Sequence, residues 1–210
     1  MGILSTYGEL KDELSSRTGR GGNATWSAAR PVFIRRAHDA LMRELNIPLL
    51  TATADLTINA ERVAVPAGFR AVERLFIDAA YDSPLSPVSI EQRVRDAVSY
   101  TAGRPRVFAI EGGYFAFAPI PDTTYTGRLM YRKALDFFAS DDATNDLLTR
   151  YPFAYLYGAL AESARWDLND EDEARYEALF RAEISDINKA ERDFAMAGGT
   201  LVPTPSGAVA

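Results

Sequence analysis

The chain contains no cysteine. Disulfides, thiolate metal sites and cysteine nucleophiles are therefore excluded together. It has one histidine, His38, so imidazole chemistry has a single candidate. No run reaches the roughly 18 apolar residues needed to span a bilayer. The opening MGILSTYGELKDEL has neither a basic leader nor a long apolar stretch, so secretion is not expected. A basic excess is missing as well: 23 Lys plus Arg stand against 29 Asp plus Glu, a formal net charge of -6. A free nucleic-acid binder normally carries the opposite field. A protein that surrounds DNA without gripping it need not.

The common catalytic motifs are absent too. There is no HExxH, no GxSxG and no GxGxxG ahead of a helix. RTGRGGN, residues 17–23, has three glycines but lacks the spacing and the Lys-Ser/Thr of a phosphate loop, and fits a loop between helices. The acidic run Asp167, Asp170, Glu171, Asp172 and Glu173 lacks the alternation and central glycine of a calcium loop. It fits the start of a helix, where carboxylates favour the dipole. Asp141-Asp142 and Asn145-Asp146 fit loop and capping roles, because paired carboxylates for acid–base work need a cleft and separated pKa values. His38 borders an apolar stripe, and a general base needs an orienting partner, so packing is its expected role. No catalytic, cofactor or metal residue is assigned.

What remains is ordinary folding material. The 210 residues are 47% hydrophobic and 25% charged, enough for one good core or two small ones. Ser5 or Thr6 can cap a helix to about Ser16, with Leu10 and Leu14 on one face. A second helix opens at Asn23 or Ser27. Pro31 suits a first turn, which places the helix proper at about Ala28 to Leu45, with Ile34, Ala37, Leu41 and Leu45 as its stripe. From Leu49 the period changes to two. TATADLTINA and ERVAVP predict two strands joined by a tight turn. GFRAVERLFIDA fits helix or strand, and strand is preferred. SPLSPVS, with two prolines, predicts an extended segment or an edge. Ser89 caps a short helix, IEQRVRDAVSY.

The clearest signal is RVFAIEGGYFAFAPIP, residues 106–121. Gly112-Gly113 suits a two-residue turn with positive φ at both positions. That turn pairs Glu111 with Tyr114, Ile110 with Phe115 and Phe108 with Phe117. The four apolar residues share one face, and the other carries Glu111, Tyr114, Ala109 and Ala116. YTGRLMYRK resumes a strand, with Tyr125, Leu129 and Tyr131 on one side. Asn145 or Thr144 can cap a helix running from Leu147 to Trp166. Asn169 caps a last helix with a stripe of Tyr176, Phe180, Ile184, Ile187 and Phe194. The tail TLVPTPSGAVA lacks periodicity and is expected to be extended.

The expected fold class is α+β: N- and C-terminal helices forming a bundle around a central antiparallel β insert. The expected domains are 1–47 with 140–197 (helical), 48–139 (β-rich insert) and 198–210 (extended tail).

Several segments in order resemble the adaptor, or head-to-tail connector, proteins of tailed bacteriophages. They are TYGELKDEL, FIRRAHDALMREL, TATADLTINAERVAVPAGFRAVERLFID, PLSPVSIEQ, GRPRVFAIEGGYFAFAPIPDTTYTGRLMYRKAL and TNDLLTRYPFAYLYGALAESARW. Together they cover roughly residues 5 to 195. The resemblance implies a structural virion protein of the particle neck, assembled in the host cytoplasm, with no cofactor and no enzymatic activity. It implies self-association into a ring, commonly of twelve, beneath a portal protein, with tail or nozzle proteins below. Genomic DNA would pass through without specific binding, and no membrane is involved. The candidate portal or neighbour interface is Leu201, Val202, Pro203, Pro205 and Val209 of the tail with Arg35, Arg36 and Arg43 of the second helix. The candidate tail-facing hairpin is Glu111, Gly112, Gly113 and Tyr114. The alternative is a small-ligand-binding or enzymatic α+β domain, which predicts a deep pocket holding His38 or an acidic pair with a shifted pKa.

Overall fold

A computed structural model of the chain describes residues 4–78, 83–99 and 101–196. The fold is α+β and divides into two compact units, Met1–Leu49 with Asp136–Ala210, and Leu50–Leu135.

The first unit is helical. Helix α1 (Tyr7–Thr18) begins with a capping box: the Thr6 hydroxyl accepts from the Glu9 N–H, and the Glu9 carboxylate reaches back to the Thr6 N–H. Helix α2 (Ala24–Glu44) is capped by Asn23, whose side chain accepts from the Trp26 N–H at 3.0 Å. It therefore starts four residues before the expected Ala28, and Pro31 lies two turns inside it. Tertiary burial explains the tolerance. Trp26 and Phe33, on either side of the proline, are 0% and 2% exposed, and such burial outweighs one missing N–H.

The helix expected from Leu147 to Trp166 is two helices. Helix α4 (Asp146–Arg150) stops at Tyr151, whose φ of -132° and ψ of 59° are not helical, and α5 (Pro152–Trp166) starts at the proline. A residue before proline is driven out of the α region, so Pro152 makes the break. Helix α6 (Asp170–Met196) buries Phe180, Ile184 and Ile187 as expected. Phe194 departs from that stripe and is 80% exposed, whereas Glu191 one turn earlier is buried. From the next turn up, Asn188 caps the end of α2 across space: its Oδ1 accepts from the Asn46 N–H at 2.7 Å and its Nδ2 donates to the Glu44 carbonyl at 3.3 Å.

Among its described residues the second unit holds seven strands: β1 (Thr51–Ile58), β2 (Arg62–Ala64), β3 (Phe69–Ile77), β4 (Ser86–Pro87), β5 (Val107–Glu111), β6 (Tyr114–Ala118) and β7 (Tyr125–Lys133), with helix α3 (Ile90–Ser99) after β4. They form two sheets, β1-β7-β3 and β2-β6-β5-β4. All pairs are antiparallel except the two-residue parallel pair β4–β5. The expected hairpin of β1 with β2 does not form. β1 pairs with β7 and β2 with β6, in different sheets. A strand's apolar positions all turn to one face, so its pairing follows the core which that face meets. Here Leu56 and Ile58 join the shared core through β7, and the three residues of β2 are used to cover β6.

The shared core of the sheets is Leu56, Ile58, Leu75, Ile77, Leu85, Phe108, Phe115, Phe117, Leu129 and Tyr131. The hairpin register is as the sequence predicts, from Phe108 opposite Phe117 to Glu111 opposite Tyr114. Its second face is not half-polar surface, however. Ala109 and Ala116 are 3% and 0% exposed, because α3 lies over β5 and β6.

Candidate functional site

The hairpin tip is the first candidate surface. Gly112 and Gly113 have φ of 56° and 84°, the primed turn in which both central residues need positive φ. Around the turn the side chains are already engaged within the unit. The Glu111 carboxylate receives Arg93 Nη2 at 3.2 Å and Arg62 Nη2 at 3.8 Å. Arg62 Nη2 also donates to the Glu111 carbonyl at 3.4 Å, and its guanidinium lies 5.1 Å from the centre of the Tyr114 ring. Arg93 further pairs with Glu61. The Gly113 carbonyl accepts from the Val65 N–H at 3.1 Å, and Tyr114 is 44% exposed. Arg62 and Arg93 escaped the sequence because their partners are 49 and 18 residues away.

The second candidate surface is cationic in the sequence and mixed in the structure. Arg35 stacks on Phe137, its guanidinium carbon 4.0 Å from the ring centre. Arg36 Nη1 meets Glu162 at 3.2 Å. Glu162 also binds Arg165 at 2.5 Å, and Arg165 reaches Glu173 at 2.8 Å and Glu177 at 3.9 Å. Glu177 continues to Arg181 at 2.9 Å. A ladder of alternating charge thereby crosses α2, α5 and α6. The hydrogen bond to Glu173, with the neighbouring carboxylates, holds the Arg165 pKa above its ordinary value. Arg43 faces a shallow depression of about 320 Å³ shared with Arg36, Asp39 and Glu162. Exposed pairs of this kind contribute roughly 0–1 kcal/mol each. The tail candidates Leu201, Val202, Pro203, Pro205 and Val209 lie outside the described residues.

His38 is not at a cleft surface. It is 4% exposed and packs among Phe137, Phe138 and Tyr155. Asn145 Oδ1 caps α4 by accepting from the Leu148 N–H at 2.8 Å, which points Asn145 Nδ2 at the Tyr155 hydroxyl, 3.1 Å away. The hydroxyl also shares a hydrogen bond with His38 Nδ1 at 2.8 Å. A histidine held this way is a core member, so His38 faces no open cleft. Among the described residues no group of carboxylates and histidine is placed to hold a metal ion, and no helix is long and apolar enough to cross a membrane.

Two tyrosines of this unit make stability depend on pH. Burial, then the hydrogen bond to Glu191, pushes Tyr151 up to about 12 from 10.0, and burial pushes Tyr155 up further. The folded chain therefore keeps these protons where the unfolded chain has lost them. Stability is whole below pH about 10 and falls as pH rises toward 12. Urea midpoints measured from pH 9 to 12 should drop, and the Tyr151→Phe chain should show a shallower slope. An equal slope would remove Tyr151 from the explanation.

A family model described as SU10 adaptor protein matches residues 5–204. No curated protein matches the chain.

Proposed function

The chain belongs to the SU10 adaptor protein family, and from that premise we propose that it works as the adaptor ring of a phage neck. It is a phage structural protein; the further steps are ours. Copies associate into a dodecameric ring beneath the portal protein, extend the DNA channel and present a platform for tail or nozzle proteins. The ring sits in the virion neck after assembly in the host cytoplasm and carries no enzymatic activity. The family match over residues 5–204 carries the proposal. The net charge of -6 supports it, since an acidic channel wall repels phosphates and lets the duplex slide. The charge ladder across α2, α5 and α6 supplies a pattern that a neighbouring copy can match. The segment 198–210, with Leu201, Val202 and Val209, is proposed to seat on the portal, since a short apolar segment can order on a partner.

Co-sedimentation with purified portal rings tests this. The full chain should pellet with portal, and a chain lacking 198–210 should lose at least about tenfold in apparent affinity, near 1.4 kcal/mol. A chain that stays monomeric and never pellets with portal would refute the proposal.

A further inference from the structure

Helix α3 carries its apolar stripe on the outside. Ile90, Val94 and Val98 recur every fourth residue, which aligns them on one face, and they are 47%, 45% and 83% exposed. The side turned to the sheet is held by Arg93, which is 6% exposed and pairs with Glu61 and Glu111. An amphipathic helix ordinarily buries its stripe; here ion pairing anchors the helix and leaves the stripe outward.

The same unit holds a receptive surface. An open groove of about 680 Å³ runs between β3 and β4, the edge strands of the two sheets. Val72, Leu75, Leu85, Phe108 and Ile110 give it an apolar floor, and Arg70, Glu73 and Arg74 stand exposed along its rim. Ile110 is 45% exposed although it pairs with fully buried Phe115. Two bulges in β3, between Phe69 and Ala71 and between Val72 and Arg74, interrupt its pairing with β7, as edge strands commonly do to avoid promiscuous pairing. A side-chain ridge suits this groove better than an added strand.

Ridge and groove cannot serve each other within one copy. α3 covers the face of β5 that bears Ala109, whereas Phe108 and Ile110 in the groove belong to the opposite face. We propose that the Ile90–Val94–Val98 stripe of α3 seats in the β3–β4 groove of a second copy of this chain. Glu91 and Arg95 flank the stripe, and the rim offers arginines and a glutamate in return. The contact is heterologous, so it repeats from copy to copy; only its closure into a ring rests on the adaptor reading.

The absence of native cysteine makes the test direct. Full-length Val94→Cys and Ile110→Cys chains, each altered at an exposed position, are treated at high concentration with a short bis-maleimide, separately and mixed. A linked dimer should form in the mixture well above either chain alone, and unaltered chain added in excess should suppress it more strongly than Val94→Asp chain, which keeps only the groove. Sedimentation should show Val94→Asp self-associating at least about tenfold more weakly, with an unchanged circular dichroism spectrum and melting midpoint. Three results would overturn the assignment: Val94→Cys linking to itself as well as to Ile110→Cys, a mixture no better than background, or loss of the mixed product on deleting 198–210, which would make that segment the occupant. Portal co-sedimentation of the unaltered chain separates the two ideas. Mixed linkage without portal binding keeps this contact and removes the adaptor role; portal binding without linkage does the reverse.

Discussion

Phe115→Ala should cost about 3–5 kcal/mol, the usual loss for a fully buried phenylalanine. Phe115 is 0% exposed and lies in β6, between β2 and β5. Its ring meets Phe69 edge-on at 5.4 Å and Phe108 edge-on at 5.8 Å, and it lies 6.5 Å from Phe117. Truncation removes apolar burial and two such ring contacts, each contributing roughly 0.5–1.5 kcal/mol beyond area. The cavity left behind is walled by both sheets, which limits collapse. Since whole domains hold only about 5–15 kcal/mol, the denaturation midpoint should fall steeply. Ile110→Ala is the internal control: same face, opposite partner, yet 45% exposed, so a loss under about 1.5 kcal/mol is expected. Guanidinium denaturation of the two chains decides it. Equal losses would mean that the hairpin is not anchored through this face.

Gly158→Ala should also destabilise, against the trend for helices. Alanine in place of a mid-helix glycine normally gains roughly 0.5–1 kcal/mol. At position 158, in α5, the added Cβ would lie 2.8 Å from the Ala37 Cβ of α2 and 2.9 Å from the Phe180 ring of α6. Neither neighbour can step aside cheaply. Ala37 is a methyl fixed to its backbone, and Phe180 is 5% exposed and closely packed. Overpacking a core costs typically 1–3 kcal/mol, so steric cost exceeds propensity and a net loss of about 1–2 kcal/mol is expected. Combining the change with Ala37→Gly should recover part of it, because one of the two clashes is relieved; a double-mutant cycle reads that coupling. A more stable Gly158→Ala chain would show that the three helices are less tightly joined than these distances require.

Local signals were legible in the sequence where local physics decides. Of each pair of cap candidates one is found (Thr6, Asn23 and Asn145), and the Gly112-Gly113 turn and the hairpin register, which need only neighbours in the chain, are found as expected. The starting point of α2 and the break before Pro152 were misjudged because the two prolines act oppositely. Pro31 is overruled by the burial of Trp26 and Phe33, whereas Pro152 sits where α4 can end with its own cap. Of the candidate surfaces, Arg35, Arg36 and Glu111 were recognised as charges. Their in-chain partners Phe137, Glu162 and Arg93 were not, since nothing in spacing links them.

By itself, then, the amino-acid sequence determined the α+β class, the hairpin and the family, because periodicity, caps and turns are written over a few residues at a time. Tertiary structure alone decided that β1 and β2 part into separate sheets, that Ala109 and Ala116 lie under α3, and that α3 keeps Arg93 inward with its valines outward. Each of these depends on which distant groups compete for one buried face. That competition is settled by packing and ion pairing across space, and short-range pattern carries no record of it.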